Sequence, residues 1–159
     1  MGDHFRAPWG VKLWTVTCGV LSVLAFVAWR SGPPTFSALL AITIAAAAFM
    51  VRGYSVVDGQ LLIHRLGWST KFDLSELTAA EFSPGATLGS ARVMGIGGLF
   101  GFIGRFRNEM LGVYRAYATD SANTVVLDFG GSKVVVTPDK PAEFVAALET
   151  RTSRSGSPA

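Results

Sequence analysis

The chain has 159 residues, half of them hydrophobic and only 16% charged, with a formal net charge of +3 and a pI near 9.4. That length accommodates one ordinary domain plus a short membrane segment. A single cysteine, Cys18, excludes an intramolecular disulfide and a thiolate metal cluster. The basic excess is local: Gly53 to Thr150 carries eight Lys and Arg against ten Asp and Glu, the preceding segment four against one, and the end adds Arg151 and Arg154. A nucleic-acid-binding domain carries its basic charge on the fold, whereas this one is slightly acidic. No nucleic-acid partner is expected.

Residues 1–9 read as an N-terminal tail. Residues 10–52 read as a transmembrane helical hairpin. Val11 to Trp29 is an apolar run whose one charge, Lys12, lies where its stem can snorkel to lipid headgroups. Arg30-Ser-Gly-Pro-Pro34 stops the helix, and Thr35 to Val51 forms a second uncharged run of about 17 residues, at the short end of the spanning range. A cleaved signal peptide has a shorter apolar core and a small-residue cleavage site, which AFVAW does not offer. Trp9, Lys12, Trp14, Trp29, Arg30, Arg52 and Tyr54 are the expected interface anchors, because amphipathic rings and long cations favour headgroup depth. Arg6, Lys12, Arg52 and Arg65 flank the open end of the hairpin and Arg30 alone its turn. The positive-inside rule then gives a multi-pass protein of the cytoplasmic membrane, with N-terminus and C-terminal domain cytoplasmic.

From Gly53 the pattern changes to short β runs. Tyr54–Val57, the Asp58-Gly59 turn and Gln60–Leu66 form a hairpin. Trp68–Asp73 follows, then a weaker run at Leu77–Phe82. Val113–Thr119, Val125–Phe129 and Lys133–Thr137 complete seven strands. Asp139 is the expected N-cap of a closing helix, with Pro141 in its first turn and Phe144, Val145 and Leu148 as its apolar stripe. Residues 151–159 read as a disordered tail. The fold class is α+β: a transmembrane hairpin, then a seven-stranded, partly open barrel or sheet sandwich over 53–150, capped by a C-terminal helix.

The runs YSVVDGQLLIHRLGWSTKFDLSEL and VVVTPDKPAEFVAAL, with GLFGFIGRFRNEMLGVYRAYAT between them, resemble the bacterial pleckstrin-homology-like domains found beside paired membrane helices. The resemblance covers roughly residues 53–150 and implies a non-catalytic module that assembles with itself or with another membrane protein. Phosphoinositide recognition by such folds places several Lys or Arg between the first two strands. Here that turn is Asp58-Gly59, which argues against specific phosphoinositide binding.

Residues 83–112 form a glycine-rich, apolar insert, far longer than an ordinary connection. It lacks both the G-x-G-x-x-G register and a GK[ST] ending, so no nucleotide or other cofactor is expected. It either folds back on its own domain or presents a lip to lipid or to a partner. Leu99, Phe100, Phe102, Ile103, Arg105, Phe106 and Arg107 are the candidate contact residues for that lip. His4 and His64 are too few for a histidine metal cluster, and no catalytic motif occurs. The leading expectation is a membrane-tethered interaction module, and the alternative is a lipid-headgroup sensor that uses the insert.

Overall fold

The computed structural model describes residues 3–155. Its first helix, α1 (Val11–Ser31), is followed after Gly32 by α2 (Pro33–Ala48), and the two pack together. α2 starts at the prolines that end α1, because proline's fixed φ suits the first helical turn. It also stops three residues before the expected end of its run: Val51 leaves the helix and is buried in the domain core. Among the described residues, α1 alone is long and apolar enough to cross a membrane by length and composition.

Part of the expected N-terminal tail, residues 1–9, is instead a strand; residues 1 and 2 lie outside the described residues. β1 (Asp3–Arg6) pairs antiparallel with β2 (Gly53–Val57), with Phe5 opposite Tyr54. β3 (Gln60–His64) and β4 (Ser69–Asp73) complete a four-stranded sheet in the order β1-β2-β3-β4. Asp58 and Gly59 both adopt positive φ (48° and 71°), the conformation that the two-residue turn between β2 and β3 requires.

The second sheet has six strands. They are β5 (Ala79–Phe82), β6 (Ala91–Gly97), β7 (Phe102–Asn108), β8 (Gly112–Ala118), β9 (Val125–Asp128) and β10 (Lys133–Val136). Their order is β5-β9-β10-β8-β7-β6, antiparallel throughout except for the parallel β10–β8 pair. The seven strands read from sequence are β2–β5 and β8–β10. The other three come from the N-terminal segment and from the insert, so the count of seven is corrected to ten among the described residues.

Both sheets contribute to one core. Val56, Leu61 and Ile63 of the first meet Val125, Leu127, Val134 and Val136 of the second, all at most 1% exposed. α3 (Pro141–Ser155) lies against β5 and the short turn at Leu74–Glu76, inserting Phe144 and Leu148. Phe144 meets Phe5 edge-on at 5.1 Å and Tyr54 at 6.0 Å, so β1 and α3 close the same end of the sandwich. Asp139 also ties the two together: its carboxylate accepts from the Arg6 amide, and its own amide donates to the Arg6 carbonyl.

α3 runs to Ser155, five residues into the segment expected to be disordered. The Arg151 guanidinium donates to Asp3 Oδ2 at 3.1 Å, which anchors this extension to β1. The rest of that expected tail, 156–159, lies outside the described residues.

Candidate functional site

The insert folds into the β6–β7 hairpin, and its tip rests on α1. The Thr17 hydroxyl donates to the Gly98 carbonyl at 3.2 Å and accepts from the Phe100 amide at 3.3 Å. Thr17 is 2% exposed although it belongs to a helix with few buried residues. A β-carbon at Gly98 would lie 2.8 Å from Val16 Cγ1, so glycine allows the tip to sit flush on the helix. Phe100 adopts φ 60°, an uncommon conformation for an aromatic residue, held by the Thr17 bond and by the Trp9 ring 6.2 Å away.

Two glycines let the hairpin close. Gly95 and Gly104 face each other with φ of 121° and 138°, and a β-carbon on either would collide with backbone of the other strand. A glycine-rich composition that looks like a loop therefore encodes a tightly apposed strand pair.

The seven candidate contact residues divide between different surroundings. Leu99 lines a cleft with Val20, Ile42, Ala45 and Phe49 of the two helices. Phe100 is at the tip, and Phe102 is half-buried on β7. Arg105 and Arg107 are exposed. Ile103 and Phe106 are not available to lipid or partner, at 8% and 5% exposed. Ile103 joins the main core, while Phe106 stacks on Tyr114 at 6.1 Å on the opposite face of the sheet. The alternation of a strand sends these neighbours in opposite directions, each into packed side chains.

Among the expected interface anchors, Trp9 and Trp14 pair at 4.9 Å beside the start of α1. Lys12 is exposed there, Trp29 and Arg30 are exposed at the far end of α1, and Arg52 is exposed where the chain enters β2. Tyr54 is a correction. It is fully buried, its hydroxyl donating to the Tyr117 carbonyl at 2.6 Å and accepting from the Thr137 amide at 3.1 Å. Burial pushes its phenol up to about 12. Sequence proximity to a membrane helix suggested an interfacial ring, but pairing with β1 and β3 turns the side chain inward.

Two groupings escaped the sequence reading. Arg65 lies among the rings of Tyr117 (5.2 Å), Trp68 (5.7 Å) and Phe49 (6.0 Å), just where α2 ends. Its Nε is buried without a hydrogen-bond partner among the described residues. The second is a chain of short contacts. Ser55 Oγ lies 2.9 Å from His4 Nδ1 and 2.8 Å from His64 Nε2, and His64 Nδ1 lies 2.9 Å from Ser69 Oγ. Burial, then the neighbouring His4, holds the His64 imidazole below its usual 6.5. This network crosslinks β1, β2, β3 and β4. Among the described residues no three His, Cys, Asp or Glu side chains converge as a metal site would require.

The family model described as bacterial PH domain matches residues 52–152, all of the chain after the helical hairpin except its last few residues. No curated protein and no solved structure matches the chain.

Proposed function

The chain belongs to the bacterial PH domain family, and on that premise we propose a non-catalytic interaction and assembly module held at the cytoplasmic membrane. One observation carries the reading: the domain is hydrogen-bonded to the second turn of its own apolar helix, through Thr17, Gly98 and Phe100. A domain on a flexible linker would sample many orientations, whereas this one has a fixed attitude to α1.

The membrane part of the proposal rests on what the helices leave uncovered. α1 is about 31 Å long at 1.5 Å per residue, close to the thickness of a bilayer core. Val23, Phe26 and Trp29 of α1 and Ile42 and Ile44 of α2 are at least 59% exposed. Contiguous apolar surface of that kind fits a hydrocarbon environment better than water. α2, about 24 Å long, returns the chain toward the same side. The excess of Arg6, Lys12, Arg52 and Arg65 at the open end over Arg30 at the turn supports a cytoplasmic N-terminus and domain by the positive-inside rule. The partner in this reading is a second copy of the chain or another membrane protein.

The test uses the full chain in vesicles, with Cys18→Ala removing the native thiol and Ser31→Cys placing one in the turn. Resistance to alkaline carbonate, with Ser31→Cys labelled only from the non-cytoplasmic side, supports the topology. Release by carbonate, or labelling only from the cytoplasmic side, overturns it.

A second reading is favoured by the tip of the hairpin. Leu99 shares a cleft with Val20 and Ile42, well along both helices, and Arg105 and Arg107 are exposed on the same hairpin. If α1 spans, this tip lies at lipid depth and works as a headgroup sensor. Salt-sensitive preference of the full chain for anionic over neutral vesicles, lost in Arg105→Ala/Arg107→Ala, distinguishes that role from assembly.

A further inference from the structure

The outer face of the six-stranded sheet, turned away from the main core, carries a second small cluster of Phe106, Tyr114, Ala116, Ala118 and Val135. Above it, the first turn of α1 and the loop at residues 87–90 enclose a cavity of about 350 Å³. Leu13, Phe102, Phe106, Ala116 and Ala118 provide its apolar lining. On β10 the residue that faces this side is Val135, while β8 offers the small Ala116 and Ala118 beside Tyr114, and Gly97 of β6 adds no side chain. The space exists because the strands beneath it carry small residues where branched ones would fill it.

Two cations line the same cavity. Lys12, from α1, and Arg92, from β6, are both exposed, and among the described residues neither has a carboxylate within ion-pair distance. Asp120 is the one acidic residue in the lining, and its carboxylate is engaged by the Ala122 amide at 3.1 Å. The cavity thus combines an apolar body with a net positive border, beside the point where α1 starts.

We propose that this cavity binds a single-chain amphiphile with an anionic head, a carboxylate or a phosphate. The chain lies over Ala116 and Ala118 between Phe102 and Phe106, and Lys12 and Arg92 hold the head. The volume is at the lower end of ligand sites, which limits the tail to on the order of ten carbons. A compact polar anion would leave the apolar lining unmatched, and a neutral alcohol would gain no charge-assisted bond from Lys12 or Arg92. The choice of an amphiphile rests on the membrane reading, because a bilayer is where such molecules partition. The site lies on the opposite side of the domain sheet from the β2–β3 turn, which carries no cation to replace it.

The full chain is mixed with phosphatidylcholine vesicles and a photoactivatable decanoate, and its adducts are mapped by mass spectrometry. The expected adducts fall on Phe102, Phe106 and Tyr114. Lys12→Glu/Arg92→Glu lowers them about tenfold, since both charge-assisted contacts become repulsive. Ala118→Leu, which fills the cavity, lowers them with the cations intact, and its thermal unfolding shows whether the fold survives. Should Ala118→Leu unfold the chain, the charge-reversal pair decides alone, because both of its positions are exposed. Adducts confined to outward residues such as Phe26 and Ile44 overturn the site. So do cavity adducts unchanged by the charge reversal, or equal labelling by a photoactivatable decanol. Carbonate extraction separates the two proposals. A chain released from vesicles but still labelled in the cavity loses the membrane reading and keeps this site, and a chain that stays inserted without cavity adducts does the reverse.

Discussion

The two halves of the molecule solve the problem of apolar surface in opposite ways. Between the sheets, Val125, Leu127, Val134 and Val136 are at most 1% exposed, and α3 seals the open end with Phe144 and Leu148. Along the helices no residue of α2 is buried, and only Leu13, Thr17 and Ala28 of α1 are. The domain therefore draws its stability from its own packing, while the helices leave much of their hydrophobic surface uncovered. The β6–β7 hairpin belongs to both regions. It pairs with β8 along the whole of β7 and bonds to Thr17 at its tip.

The sharpest way to break that comparison is to damage the domain core. Phe144→Ala is expected to cost about 3–5 kcal/mol, because a fully buried ring leaves a cavity at the junction of β1, β2 and α3. Denaturant unfolding of the full chain in detergent measures it. A loss below 1 kcal/mol would mean that the helices, rather than the core, hold the domain together.

Tyr54→Phe is next, at about 1–3 kcal/mol, since it strands the Tyr117 carbonyl and the Thr137 amide within the core. The same unfolding curves report it, and a neutral result would return Tyr54 to the surface role read from sequence. Thr17→Val keeps the shape of the side chain but removes both bonds to the hairpin tip. It is expected to leave global stability within about 1 kcal/mol while amide exchange accelerates at residues 98–101. Unchanged exchange there would show that the tip is held by β-pairing alone, and the proposed fixed attitude of the domain would fall.

The smallest effect is a pH dependence. The folded chain holds the His64 proton less tightly than the unfolded chain does. The stability contributed by neutral His64 is complete above about pH 6.5 and is lost as the pH falls through the lowered folded value. Melting temperatures measured from pH 7.5 down to pH 5 should decline, and His64→Gln should flatten the slope. Equal slopes in the two chains would assign the decline to other groups.

Much of this was legible in the chain itself. The strands that became β2–β5 and β8–β10 carry period-two alternation or β-rich runs bounded by turn residues, signals that act within a few positions. The apolar stripe of α3 and the family resemblance over residues 53–150 were equally local, and the match at 52–152 agrees with them. β1 was hidden because Asp3-His-Phe-Arg6 is short and polar, and it becomes a strand only against β2, some 50 residues away. The β6–β7 hairpin was hidden for a different reason. Its glycines lower β propensity, yet the close approach at Gly95 and Gly104 depends on their having no side chain.

What the sequence determined by itself is a division: two charge-poor apolar runs before Arg52 and an alternating, turn-rich β domain after it. Composition and periodicity are properties of neighbours, so no partner is needed to read them. The tertiary structure alone decided which residues of the insert face inward, that Tyr54 lies in the core, and that Thr17 joins helix to domain. Those outcomes depend on pairings between distant segments, which a pattern along the chain does not specify.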